Sequence, residues 1–190
     1  ATDRAQLSLG MTFNVYNDNQ GVERILHLDI IPRIIDNTEW TLLEKGLQQR
    51  IKALNLFIQD IYNDQKVLKD KIIPKEMIFS SASYLKELEG FKPPKDIWCH
   101  ITGSDLIKGG DGQYYVLEDN LRCPSGVSYM LENREILKRT FPELFEKLGV
   151  KPVYNYTHIL RDTLESLTDV EKPTVVVLTP GIYNSAYFEH

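Results

Sequence analysis

The 190 residues carry 27 Asp and Glu against 22 Lys and Arg, a net charge of -5 at neutral pH, with 42% hydrophobic and 26% charged side chains. That is the balance of an ordinary soluble globular chain with room for one sizeable core. It excludes extensive disorder and gives no basic footprint for nucleic acid or an anionic membrane, although a local basic cleft for phosphates stays open. No run approaches the roughly 18 apolar residues that cross a bilayer. The polar start Ala1-Thr2-Asp3-Arg4 is not a signal peptide, so the cytoplasm is the default.

Residues 1–9 read as the last turns of a helix closed by Gly10. Residues 12–16 and 22–28 are apolar or alternating around the turn-rich 17–21, which predicts a hairpin. After Pro32 comes the strongest helix signal: from Thr38, read as its N-cap, Leu43, Leu47, Ile51, Leu54, Ile58 and Ile61 recur at steps of three and four. The other face, with Gln48, Gln49, Arg50, Lys52, Asn55, Gln59 and Asp60, is solvated by default, with Arg50 and Asn55 the two that can reach a site. Short helical pieces at 74–79 and 83–88, broken by Gly90 and Pro93-Pro94, form a connector. Beyond it lie predicted helices at about 128–139, from Pro142 to Gly149 and at 157–167, then a polar linker at 169–173 and a strand at 174–178.

The chemistry concentrates between the connector and the helix at 128. Two apolar and aromatic runs, 98–107 and 114–121, flank Gly109-Gly110-Asp111-Gly112, the pattern of a hairpin with a short loop. Side chains alternate along a strand, so Glu118, Asn120 and Arg122 share a face. If Asp105 pairs with Glu118, that face holds two carboxylates and an amide oxygen, hard donors suited to Mg2+ alongside nucleotide phosphates. Solvent-facing polar residues on a half-exposed strand are the plainer reading. Against it stand the poor fit of Asp to strands and the apolar flanks. In the same register Cys99 falls on the face of Asp105 and Cys123 on the other, so both are predicted to be free thiols.

An Asp followed about a dozen residues later by Glu118-Asp119-Asn120-Leu121-Arg122 resembles the metal-binding strands of the ATP-grasp superfamily. Further segments extend the likeness: 12–16, Ile31-Pro32-Arg33, Gln49-Arg50 with Ala53-Leu54-Asn55, 115–122, 124–129, 131–134 and 178–190. Together they resemble the circularly permuted ATP-grasp proteins related to glutathionylspermidine synthase, over nearly the whole chain.

The resemblance implies an α/β fold: an ATP-grasp-like core with antiparallel hairpins packed on helices, entering a second α/β sheet at its C-terminal end. Residues 1–172 would be part of the ATP-grasp domain, with the metal hairpin at 97–122. Residues 173–190 would be the first strand and turn of a following domain, and the chain is expected to be part of a longer polypeptide. The implied activity is ATP-dependent ligation of a small-molecule or peptide carboxylate to an amine through an acyl phosphate, with ATP and Mg2+ as cofactors. Asp105, Glu118 and Asn120 would hold the metal. Arg122 would act on a phosphoryl or carboxylate group, or pair with Glu118 as a structural ion pair. Ser125 and Gly126 precede a helix whose free N–H groups suit an anion, or form a plain capped turn. Arg24 and Arg33 either reach a phosphate cleft or lie on the surface, while Asn184, Ser185 and Glu189 follow the 174–178 strand at a crevice position. His100 reads as a packed core residue, and His27 and His158 have no recognisable partner. No lysine-bearing lid strand that would grip ATP can be assigned. The competing reading is a non-catalytic module that keeps the hairpin for folding and binds protein.

Overall fold

The computed structural model describes residues 2–17 and 20–190. Two compact units emerge, one of Ala1–Ile34 with Ser125–His190 and the other of Ile35–Pro124.

In the first unit, helix α1 (Thr2–Leu9) ends at Gly10, whose φ of 67° is the left-handed conformation that glycine adopts without strain. Strands β1 (Thr12–Asn17) and β2 (Gln20–Ile25) pair antiparallel with Thr12 opposite Ile25, so the predicted hairpin forms. The centre of its turn lies outside the described residues. Helices α5 (Val127–Thr140), α6 (Pro142–Lys147) and α7 (Tyr156–Glu165) follow the sequence expectation to within one or two residues. The core gathers Met11, Tyr129, Ile136 and Ala186. The Tyr129 hydroxyl donates to the Thr12 carbonyl at 2.7 Å, and the fully buried Gln6 donates through Nε2 to the Leu26 carbonyl at 2.7 Å, while its Oε1 is buried without a partner among the described residues.

The strand expected at 174–178 does not form. Val175, Val176, Val177 and Leu178 are exposed, Leu178 at 93%, and no described strand pairs with them. A β-branched run has the composition of a buried strand, but a strand exists only with a neighbour to bond. Beyond it, short 3-10 turns at Gly181–Tyr183 and Tyr187–Glu189 bring Ala186 and Phe188 onto the core.

The second unit is organised by α2 (Asn37–Tyr62). Its N-cap is Asp36, not Thr38: the Asp36 carboxylate accepts from the Glu39 N–H at 2.8 Å. Both residues are competent caps, and Asp36 adds a negative charge at the positive end of the helix. Asp36→Ala should lower stability by about 1 kcal/mol, read as a shift in the urea midpoint at constant m value. Of the predicted apolar stripe, Leu43 and Ile61 are buried and Leu47, Ile51, Leu54 and Ile58 half-buried. The connector carries α3 (Lys66–Lys69), α4 (Lys75–Phe79) and two 3-10 turns. The rings of Tyr84, Tyr62 and Trp98 stack in series, at centroid spacings of 5.2 and 5.0 Å.

The hairpin itself is β3 (Gly103–Lys108) and β4 (Tyr114–Asn120). The Gly109 N–H donates to the Gln113 carbonyl at 2.8 Å, and Gly112 sits at a φ of 79°. β3 begins later than the apolar run suggests, so Trp98, Cys99 and His100 precede it and strand alternation assigns none of them a face. Cys99 and Cys123 are free thiols, as expected, although the opposite-face argument lapses.

Candidate functional site

Asp105 lies directly opposite Glu118, with Ser104 opposite Asp119 and Gly103 opposite Asn120. Past Asp105 the register slips, so that Leu106 faces Val116 and Leu117 is the extra residue of a β-bulge. The exposure pattern follows. Asp105, Glu118 and Asn120 are exposed on one face, while Ser104 and Asp119 are half-buried on the other.

On the exposed face the polar groups touch. The Asn120 Nδ2 donates to Glu118 Oε1 at 3.1 Å, and the Asp105 and Glu118 carboxyls share a hydrogen bond. That contact, with desolvation and the negative charge of Glu118 behind it, holds the Asp105 carboxyl above its ordinary value of 3.8. Two carboxyls so placed either share a proton or need a cation between them. The donor set fits Mg2+, which takes one or two carboxylates and is otherwise satisfied by water or phosphate oxygens. Half a turn of the Asn120 amide presents Oδ1 to the same place. Among the described residues no group of three or more His, Cys, Asp and Glu is arranged to hold a metal, so this pair with its amide stands on the two carboxylates alone.

A raised carboxyl pKa means that the folded protein holds this proton more tightly than the unfolded chain. Its contribution to stability is therefore full below 3.8 and falls as pH rises through the raised value. Without divalent cation, the melting temperature of the natural protein should fall relative to that of Asp105→Asn across that window. Parallel pH profiles for the two proteins would contradict the shared-proton geometry.

The hairpin and the segment that leads into it are anchored to α2 at three places. Arg50 Nε donates to Asp119 Oδ2 at 2.7 Å and its Nη2 lies 2.6 Å from the same oxygen, while Ser104 Oγ donates to Asp119 Oδ1 at 2.7 Å. The guanidinium holds the Asp119 carboxyl below the usual carboxylate range, and Ser104 adds to it. Asn55 Oδ1 accepts from the Trp98 and Cys99 N–H groups, both at 2.9 Å. Glu39 pairs with Lys108. Sequence reasoning put Arg50 and Asn55 on a face solvated by default, as the two residues there able to reach a site, and did not single out Ser104 or Asp119 as ligands or supports. The available signal was position: Arg50 and Asn55 border Ile51 and Leu54 on the apolar stripe.

Arg122 is exposed and lies beyond the end of β4, so alternation does not put it on the Glu118 face; among the described residues it makes no ion pair with Glu118. In the other unit, the Gly126 and Ser128 N–H groups at the start of α5 donate to Glu189 Oε1 at 2.7 and 3.1 Å. The anion at this helix N-terminus is thus the chain's own carboxylate, and Ser125 beside it is exposed. Asn184 Oδ1 accepts from the Ala186 N–H at 2.8 Å, and the Ser185 carbonyl accepts from the Asn14 N–H at 2.9 Å. The first closes a local turn, and the second ties the C-terminal segment to β1. Arg24 and Arg33 are exposed.

The hairpin thus brings Asp105, Glu118 and Asn120 to one face, with α2 held against the other. Residues 32–190 match the family model described as circularly permuted ATP-grasp type 2, and the chain belongs to that family, which implies an α/β fold. It is 56% identical over 188 residues to an uncharacterized protein of Synechocystis sp., covering 98% of this chain and 39% of that protein. To an uncharacterized protein of Mycobacterium tuberculosis it is 47% identical over 192 residues, which is all of this chain and 34% of the other. A Frankia alni protein with the provisional name glutamate–cysteine ligase 2-3 is 37% identical over 194 residues, 22% of its own length. The chain thus spans about two fifths or less of each of these relatives. Among the described residues no helix is long and apolar enough to cross a membrane.

Proposed function

We propose that the chain carries the magnesium-binding part of the active site of a cytoplasmic ATP-dependent carboxylate–amine ligase. The observation that carries this reading is the face on which Asp105, Glu118 and Asn120 touch one another in the open. Asp105 and Glu118 would hold Mg2+ with Asn120. When bound, the ion screens the phosphate charge that shifts during phosphoryl transfer. Arg122, exposed next to the end of β4, would orient a phosphoryl or carboxylate oxygen through its planar fork.

In this reaction an oxygen of the substrate carboxylate attacks the γ-phosphorus of ATP and the bond to ADP breaks, giving an acyl phosphate. The amine nitrogen then adds to the acyl carbon, phosphate leaves and the amine loses a proton, so an amide forms. The provisional name of the Frankia alni relative is that of a ligase joining a carboxylate to an amine. Kinship with glutathionylspermidine synthase would extend the acid to a peptide-like carboxylate and the amine to a polyamine. Ser125, Gly126, Arg33, Asn184 and Ser185 would contribute to the nucleotide side, which for Gly126 requires Glu189 to give way. Residues 173–190 would lead into a following α/β domain, since the bare Val175, Val176 and Val177 run calls for strand neighbours.

ADP release by the full-length protein, assayed with ATP, Mg2+, an amine and a panel of acids, tests the proposal. Release that depends on both acid and amine is expected. A protein that binds partners but never consumes ATP with any acid would favour the non-catalytic module.

A further inference from the structure

The acidic face of the hairpin has a built support behind it. Glu118 and Asn120 flank Asp119 in sequence, and strand alternation turns Asp119 to the opposite face. There its side chain is only 9% exposed and both carboxylate oxygens are engaged, Oδ2 by Arg50 of α2 and Oδ1 by Ser104 of β3. The three contacts tie β4 to α2 and to β3 at the one residue between the two exposed ligand candidates. The location matters because the β-bulge at Leu117 comes immediately before Glu118, and a bulge weakens the ladder and lets a strand twist. With pairing loosened on that side, the direction in which Glu118 and Asn120 point depends on what holds Asp119. Arg50 meets Oδ2 through both Nε and Nη2 while Ser104 holds Oδ1, so that with both oxygens engaged the carboxylate is fixed in direction as well as in position.

We infer that Asp119, clasped by Arg50 and Ser104, is a positioning residue that sets the orientation of Glu118 and Asn120 for cation binding. The inference rests on the assignment of Asp105, Glu118 and Asn120 as a divalent-cation site. A surface ion pair with no such role would contribute only to stability, so the two are separated by measuring cation affinity and stability independently.

The experiment titrates Mn2+ into the full-length protein by electron paramagnetic resonance, with melting temperatures taken on the same samples. The variants are Glu118→Gln, Asp119→Asn, Arg50→Lys and Ser104→Ala. Natural protein should bind one Mn2+ that Glu118→Gln loses; equal binding by the two would overturn the cation site and the inference with it. Given that loss, Asp119→Asn should weaken Mn2+ binding by about tenfold or more and broaden the Mn2+ signal, the range typical when an outer partner of a ligand is removed. Arg50→Lys keeps the charge but not the two-nitrogen clasp and should fall between the two, and Ser104→Ala should give a smaller loss of the same kind. If Asp119→Asn fails to fold, Arg50→Lys and Ser104→Ala decide. Mn2+ affinity unchanged in folded variants whose melting temperatures drop would overturn the positioning role while leaving the cation site intact.

Discussion

Glu118→Ala should abolish nucleotide turnover by the full-length protein while leaving it folded. Glu118 lies at the centre of the acidic face, in contact with both Asp105 and Asn120. Removing it takes away one of the two carboxylates and the acceptor that orients Asn120, and leaves Asp105 as the single carboxylate to fix the ion against the nucleotide phosphates. A metal that stabilises phosphoryl transfer by several kcal/mol accounts for about three orders of magnitude in rate, since each 1.36 kcal/mol is tenfold. The loss should be of that size in kcat/KM for ATP. Stability should not fall with it. Glu118 is exposed, and its removal relieves the crowding that raises the Asp105 carboxyl, so the melting temperature without divalent cation should hold or rise. Near-normal ADP release by a folded Glu118→Ala protein would remove this residue from the chemistry.

Asn55→Ala should give a large loss of stability in the unit that carries the hairpin. Asn55 is half-buried on α2, and its Oδ1 accepts two backbone N–H groups, from Trp98 and Cys99, on the segment leading into β3. Its Nδ2 donates to the Ile51 carbonyl at 3.1 Å, so the amide is engaged at both ends. Truncation leaves two N–H groups without an acceptor, each costing about 1–3 kcal/mol if water stays out, and partial access reduces the sum to about 2–4 kcal/mol. Trp98 is the reporter: its ring stacks on Tyr62 of α2, and release of its backbone should change its fluorescence before global unfolding. Urea denaturation followed by that signal measures the effect, and Asn55→Asp, which keeps the acceptor oxygen, should recover part of it. A loss below about 0.5 kcal/mol would show that water replaces the amide without cost.

What could be read from the residues depended on range. The pairing of Asp105 with Glu118 was legible because it follows from a short loop and two apolar runs that adjoin it in sequence. The α2 stripe was legible for the same reason, being periodic in sequence. The bulge at Leu117 was not, because no Gly or Pro marks it and the bulged residue is an ordinary apolar one. The Arg50–Asp119 pair joins residues 69 apart and Glu189 caps α5 from 63 residues beyond Gly126, separations over which local pattern carries no information. The N-cap of α2 was misplaced by two residues because Asp36 and Thr38 both have capping side chains and only the backbone decides between them. At 174–178 the composition of a strand was present, but strand formation depends on a partner that no residue in the run specifies.

The placement of the metal decides whether the candidate site is the one that works. A crystal structure of the full-length protein with Mg2+ and a non-hydrolysable ATP analogue measures this directly. The expected result is a Mg2+ ion liganded by Asp105, Glu118 and Asn120 oxygens and by phosphate oxygens of the nucleotide, with Asp119 still held by Arg50 behind it. Nucleotide and metal bound elsewhere, with Asp105 and Glu118 facing only solvent and each other, would contradict it.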